Sequence, residues 1–293
     1  MKLSVVISNY NHSKFLPEAL SAILSQTVLP SEIIIIDDCS TDDSVKVIEE
    51  FASGHPIIKL HRNEVNMGIF YSSNLGLKLA KGEYIYFGAA DDRVYPHLFE
   101  KTLKLMAKHP QAGLCSALLK RIGSNGEDEG WIQSPLITKK ESYLPPKTVI
   151  ENIKAYGSWF MGQTVIYRRD SIMNDTDGFI SELAHRTDHL VNYVVAAKNG
   201  ACFIPEILAT YRVLTTGYAE KNFDNDDLSR STFRLLLNLL RSPRYSPIFP
   251  ENCVSNIESR GWYEIEVRII RRTLRVQIAF SDRLKILRHK KLF

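Results

Sequence analysis

Cysteine is scarce in this chain. Four in 293 residues (Cys39, Cys115, Cys202, Cys253), far apart and without CxxC spacing, argue against a structural zinc or a disulfide framework and fit a reducing compartment. Long apolar runs are missing too. No stretch approaches the roughly 20 residues that span a bilayer. The N-terminus, Met1-Lys2-Leu3-Ser4-Val5-Val6-Ile7-Ser8, enters a strand-like run with no signal-peptide core or small-residue cleavage site. The expectation is a cytoplasmic protein. A strong excess of one charge is also lacking: the net charge of +4 is too small and diffuse to imply nucleic acid. There are no internal repeats and no low-complexity tracts. After the first strand there is no Gly-rich, Lys/Arg-bearing phosphate loop, only Asn9-Tyr10-Asn11-His12-Ser13, which counts against a nucleotidyltransferase.

What the chain does have is two acidic pairs, each closing an apolar run. Ile33-Ile34-Ile35-Ile36 ends in Asp37-Asp38, and Tyr84-Ile85-Tyr86-Phe87-Gly88-Ala89-Ala90 ends in Asp91-Asp92. Runs of β-branched and aromatic residues without alternation predict strands buried on both faces, as in parallel sheets. Open α/β sheets bind ligands beyond the carboxyl ends of their strands, so these pairs point to a nucleotide, a divalent cation, or both. Mg²⁺ or Mn²⁺ takes oxygen ligands and commonly uses one or two carboxylates plus substrate phosphates. The plainer reading of Asp91 and Asp92 is a cap on the next helix, expected over 95–106. Asp38-Cys39-Ser40-Thr41-Asp42 likewise reads as an Asx turn and helix cap.

The first hundred residues alternate strand and helix: strands over 3–8, 33–36, 57–61 and 84–87, and helices over 15–26, 41–51 and 71–80. This βαβ rhythm predicts a parallel sheet with right-handed crossovers. Further on, strands are expected over 113–119, 162–167 and 202–205 and a helix over 188–198. Residues 123–130 look like a polar loop, and the chain turns helical from Asp226. From Arg260 to Phe293 there are ten Lys/Arg against three acids. Val267, Ile270, Leu274 and Ile278 lie at helical spacing with arginines on another face. Such a basic amphipathic helix either rests on an anionic membrane or packs its apolar side on the protein.

Taken in order, Ser4-Val5-Val6-Ile7-Ser8-Asn9-Tyr10-Asn11, Ser25-Gln26-Thr27, Ile36-Asp37-Asp38-Cys39-Ser40-Thr41-Asp42, Asn66-Met67-Gly68, Asn74-Leu75-Gly76, Ala80-Lys81-Gly82-Glu83-Tyr84-Ile85 and Asp91-Asp92 to Pro96 resemble the opening of the family 2 glycosyltransferases. The resemblance is dense over about 110 residues and loose to about 215. It implies a GT-A fold: a Rossmann-like, mostly parallel α/β sheet flanked by helices, with a helical C-terminal appendage. It also implies a nucleotide-sugar donor, Mn²⁺ or Mg²⁺, and inversion at the anomeric carbon. The corresponding division is a GT-A domain over 1–220 (nucleotide-sugar half 1–110, acceptor half 111–220) and a helical, basic region over 221–293. By position, Ser8 and Tyr10 line the nucleotide pocket, Asp38 accepts from the base, and Asn66 lies near the nucleoside. Asp91 and Asp92 fall at the metal motif, with Asp92 as the principal ligand. The usual first acid of that motif is Ala89 here.

Gly162-Gln163-Thr164-Val165-Ile166-Tyr167-Arg168-Arg169, Asp177-Gly178-Phe179 and Arg186-Thr187-Asp188-His189 resemble the family's acceptor-side segment. Asp188 matches the acid that takes the acceptor proton, with Thr187 where a Glu is common. Without the resemblance, Asp188 reads as a helix N-terminal acid favoured by the dipole. His185 and His189 lack the i, i+4 zinc spacing and are expected in the acceptor site or on the surface. Trp131 and Trp159 are candidates for sugar stacking or core. Arg212 is expected either near the diphosphate or in a structural salt bridge.

The leading expectation is an inverting enzyme moving a sugar, from a UDP-sugar by family association, to a saccharide or lipid-linked saccharide in cell-surface polysaccharide or glycolipid synthesis. The C-terminal helix offers peripheral membrane contact. The alternatives are a non-catalytic nucleotide-sugar-binding protein of the same fold, for which the loss of the acid at Ala89 speaks, and a nucleotidyltransferase.

Overall fold

The computed structural model describes residues 1–132, 135–214, 218, 222 and 225–268. Strands β1 (Leu3–Asn9), β2 (Glu32–Asp37), β3 (Ile58–Arg62) and β4 (Tyr84–Ala89) alternate with helices α1 (Leu16–Leu24), α2 (Ser44–Gly54) and α3 (Ile69–Leu79). These strands pair in parallel in the order β3-β2-β1-β4, as the βαβ rhythm predicts. From β1 the chain passes to β2 and β3 on one side and then crosses back to β4 on the other, so the carboxyl ends of β1 and β4 form the switch point whose crevice binds ligands in such sheets.

Helix α4 (Leu98–Lys108) leads into β5 (Leu114–Ile122), β6 (Asp128–Ile132), β7 (Ser142–Leu144), α5 (Pro146–Tyr156) and β8 (Ile166–Arg168). Then follow α6 (Arg169–Asp175), α7 (Thr187–Asn199), β9 (Ala201–Arg212) and α8 (Asp226–Leu240). Among the described residues the sheet is nine-stranded and mixed, in the order β3-β2-β1-β4-β8-β5-β9-β7 with β6 on β5. Strand β8 is antiparallel to both β4 and β5, so it joins the two parallel groups.

The lack of alternation in β1 and β2 has a direct cause. Val5, Ile7, Ile33 and Ile35 enter one core with Leu16, Leu20 and Ile48, while Val6, Ile34 and Ile36 enter a second core with Leu77, Val191 and Val194. Helix α3 lies so close on β1 that a Cβ at Gly76 would run into the Val6 side chain. The second core also takes in Phe233, Leu236, Leu237 and Leu240 of α8 and Cys253, Val254 and Ile257 of a helix over 251–268.

Several local expectations are corrected. The run over 162–167 is not one strand: Gly162–Thr164 forms a 3₁₀ turn and only Ile166–Arg168 pairs. The Thr164 hydroxyl bonds the Ala117 carbonyl at 3.1 Å and the Met161 carbonyl at 2.9 Å, side-chain contacts that compete with the ladder. Strand β9 runs twelve residues rather than four, with the register slipping near Pro205. Part of the polar segment 123–130 forms β6. Helix α2 starts at Ser44, because Ser40 gives its hydroxyl to Asp37 instead of capping. The basic helix expected from Val267 falls almost entirely in 269–293, outside the described residues. Among the described residues no helix is long and apolar enough to cross a membrane.

Candidate active site at the carboxyl ends of β1 and β4

Two loops from neighbouring strands lock together at the crevice. Asp37 Oδ1 accepts from Asn9 Nδ2 (2.8 Å) and Ser40 Oγ (2.6 Å). Asn11, in the left-handed region at φ 57°, accepts the Thr41 N–H at 2.8 Å. Asp42 takes the Ser13 and Ser44 N–H groups at 2.9 Å each. Burial alone would raise the Asp42 pKa, but these hydrogen bonds outweigh it and hold the carboxyl at about 2.

Asp38 is buried and accepts from Asn63 Nδ2 (2.7 Å), Met67 N (2.8 Å) and Gly68 N (2.7 Å). It thereby pins the loop that carries Asn66 onto β2. Two donors share Oδ1, whereas Oδ2 receives only Gly68 N–H. Asn66 is exposed and accepts from Gly68 N at 3.2 Å. Ser8 is half-buried, 3.0 Å from Ser73 Oγ, and Tyr10 is 45% exposed. Ser8, Tyr10, Asp38 and Asn66 therefore stand around the ends of β1, β2 and the start of α3.

Asp91 and Asp92 differ sharply. Neither caps α4, whose N-cap is His97. Asp92 is 6% exposed, and its Oδ1 accepts Arg212 N–H at 2.6 Å. Burial first, and then the neighbouring Asp91 charge, raise its pKa well above the carboxylate range, against hydrogen bonds from Arg212 N and Gln163. Asp91 is half-buried, and its carboxylate bonds only its own backbone; burial raises its pKa while His12 and Arg212 oppose the rise. Arg212 is 3% exposed. Its Nε donates to the Asp91 carbonyl (2.8 Å), its Nη1 to the Ser124 carbonyl (3.2 Å), and its Nη2 pairs with Glu18. Of the two expectations for Arg212, the salt bridge is the one found.

Mn²⁺ or Mg²⁺ fits this donor set in a limited way. Among the described residues no three His, Cys, Asp or Glu side chains gather at one point. Asp91 supplies a carboxylate without a side-chain partner, whereas Asp92 is already committed. A cation here would take one or two protein oxygens and the rest from a diphosphate, the usual arrangement for Mg²⁺.

Asp188 lies in the first turn of α7, half-buried, with Oδ1 accepting His189 N–H at 2.8 Å. The Gly162–Thr164 turn links it to the other acids. Asp188 Oδ2 is 3.7 Å from where a Cβ on Gly162 would sit, while Gln163 bonds Asp92 through its side chain and accepts from Tyr86 OH through its carbonyl (3.0 Å). Thr187 takes Ile180 N–H on its hydroxyl at 2.6 Å, and Ala184, at φ 46°, sharpens the entry to α7.

His185 and His189 are half-buried on either side of Asp188. Burial, then Arg186 and other cationic neighbours, push His185 down to about 3, and burial lowers His189 as well. Trp159 is core, stacked on Phe160 with ring centroids 3.9 Å apart. The Trp131 side chain lies outside the described ones. The roles of Gln163 and Glu18 were not foreseen. The only sequence cue was the placement of Gln163 between a glycine and a threonine ahead of a short apolar run.

A family model described as glycosyl transferase family 2 matches residues 4–177. An uncharacterised glycosyltransferase of Escherichia coli K12, YibD, is 30% identical over 203 residues, covering 63% of this chain and 54% of that protein. The uncharacterised protein Rv1520 of Mycobacterium tuberculosis is 25% identical over 217 residues, covering 72% of this chain and 58% of that protein. The chain thus spans little more than half the length of these relatives. Among solved structures, Staphylococcus aureus TarS 1-349 in complex with UDP-GlcNAc superposes with a TM-score of 0.67 at 22% identity, covering 86% of this chain and 71% of that one. The mannosyltransferase PcManGT of Pyrobaculum calidifontis, in complex with GDP-Man and Mn²⁺, gives 0.60 at 18% identity, covering 88% and 73%.

Proposed function

The chain belongs to glycosyl transferase family 2 and has the GT-A fold, and from that premise we propose that it is an inverting transferase. The donor is a nucleoside-diphosphate sugar, with UDP-sugars first in line. The acceptor is a hydroxyl of a saccharide or lipid-linked saccharide in cell-surface polysaccharide or glycolipid synthesis. One observation carries this reading: the Gly162–Thr164 turn bonds Asp92 through Gln163 and runs past Asp188 at Gly162, so the donor side and the half-buried Asp188 carboxylate share one wall.

In this reading Ser8, Tyr10, Asp38 and Asn66 hold the nucleoside. Asp91, rather than Asp92, is the protein carboxylate toward Mn²⁺ or Mg²⁺, and Asp92 fixes the loop through Arg212. When bound, the cation offsets charge on the departing diphosphate. Asp188 accepts the acceptor hydroxyl proton while that oxygen attacks the anomeric carbon from the face opposite the leaving group. TarS crystallised with UDP-GlcNAc and PcManGT with GDP-Man and Mn²⁺, which supports both the donor class and the cation. Membrane contact through the basic C-terminal region would bring the enzyme to lipid-linked acceptors at the inner face of the cell membrane.

Ala89 favours a second reading, a protein that binds nucleotide sugars without turning them over. The two are separated by incubating the purified protein with UDP-sugars and Mn²⁺ and following release of UDP. Slow hydrolysis of one donor, abolished in Asp188→Asn, is the expected result. Binding of a donor with no turnover, with or without candidate acceptors, would establish the second reading.

A further inference from the structure

His12 lies in the turn that leaves β1, and that turn emerges beside the one leaving β4, since Ser8 pairs with Ala89. The turn is anchored. His12 N–H donates to Ser44 Oγ (3.1 Å), and its carbonyl accepts from Phe15 N (2.9 Å) and Leu16 N (3.0 Å). The His12 ring packs 6.4 Å from the Phe15 ring, over which the Arg212 guanidinium lies at 5.1 Å. Arg212 Nε in turn holds the Asp91 carbonyl at 2.8 Å. His12, Phe15, Arg212 and Asp91 are thus one packed group at the mouth of the crevice.

Two basic groups act on Asp91: His12 and Arg212. Arg212 is enclosed, its side chain 2% exposed and paired with Glu18. Arg93, next to the acid pair, is paired with Glu18 at 3.0 Å and donates to the Gly126 carbonyl at 3.4 Å. His12 is the basic neighbour of Asp91 whose ring makes no hydrogen bond to the protein. Its Nδ1 is sealed from solvent and has no partner. A buried N–H without an acceptor is rarer and costlier than a bare ring nitrogen, so the neutral ring carries its proton on Nε2. That leaves the Nε2–H of the partly exposed His12 ring without a protein partner at the mouth of the crevice.

We propose that His12 is a catalytic residue whose Nε2–H hydrogen-bonds the diphosphate of the donor and stabilises it as it leaves. This rests on the donor-site reading above. The bond from the anomeric carbon to the diphosphate oxygen breaks, and the electron pair stays on that oxygen. A bond to the acceptor oxygen forms, and the acceptor proton passes to Asp188. His12 keeps its proton throughout and supplies a charge-assisted hydrogen bond.

The test measures UDP affinity by calorimetry and uridine affinity by ligand-observed NMR, on the full chain with Mn²⁺ present. His12→Ala should weaken UDP by about 10- to 100-fold, the worth of a hydrogen bond to a charged group, and leave uridine unchanged. His12→Gln, which restores an N–H at similar reach, should recover most of the UDP affinity. UDP affinity unchanged in His12→Ala would overturn the role of His12 alone, as would a parallel loss of UDP and uridine, which marks a distorted pocket. Wild-type protein that binds no UDP would overturn the UDP-site reading and the His12 role together.

Discussion

Arg212 N–H holds Asp92 Oδ1 from the end of β9, while Asp91, one residue earlier, keeps a carboxylate without a side-chain donor. The two should respond differently to the same change. Asp91→Asn should remove the gain in UDP affinity that Mn²⁺ gives. Asp92→Asn should keep it, because the amide oxygen still accepts from Arg212. Calorimetry with and without Mn²⁺ separates them, and a larger loss in Asp92→Asn would reverse the assignment. Asp188→Asn should lower transfer by about 10²- to 10⁴-fold with UDP affinity unchanged, since only the proton acceptor is lost. Asp42 offers a test that needs no ligand. Its pKa falls from the ordinary 3.8 to about 2 in the folded chain, so it adds stability above the ordinary value, and that stability disappears as pH falls through about 2. Asp42→Asn should be less stable than wild type at pH 6, and the gap should close between pH 4 and 2 in denaturant melts. At this scale the acids were legible in the sequence because they end apolar runs. The division of labour between Asp91 and Asp92 was not, since it depends on Arg212, 120 residues further along.

Among the elements, α3 ties the parallel β1–β4 half to the segment that precedes α7. Asn74 donates to the Phe179 carbonyl (2.8 Å) and accepts Phe179 N–H (2.9 Å), so one side chain clamps the segment that leads to Asp188. Gly178, at φ 73°, lets that segment turn against Asn74 without a Cβ in the way. Asn74→Ala leaves both Phe179 backbone groups without these partners and should cost about 1–3 kcal/mol, read as a lower melting point. If the clamp places Asp188, kcat should fall further than UDP affinity; equal losses would show that it only stabilises. Strands β1 and β2 were readable because burial on both faces removes alternation, and the edge strand β3 because Ile58-Lys59-Leu60-His61 alternates. The Gly162–Thr164 turn and the full length of β9 were not. One depends on a threonine bonding a neighbouring strand, the other on a register slip that admits Pro205, and neither leaves a periodic trace.

The whole molecule is a sheet whose second core extends into the C-terminal helices. Phe233 of α8 lies under the Arg186 guanidinium at 4.9 Å and meets Trp262 edge-on at 5.0 Å, which couples 251–268 to the turn just before Asp188. Phe233→Ala should cost about 3–5 kcal/mol through the cavity it leaves, seen in chemical denaturation, and a loss below 1 kcal/mol would mean these helices sit loosely on the domain. The helical character of this region could be read from the sequence. Its shared core with the sheet could not, because the contacts join positions far apart in the chain. Every role proposed for these side chains requires the crevice between β1 and β4 to be a nucleotide-diphosphate site. Calorimetric titration of UDP into the full chain, with and without Mn²⁺, tests this most directly. Saturable binding of one UDP per chain that tightens with Mn²⁺ is the predicted result; no heat with UDP, GDP or dTDP in either condition would contradict it.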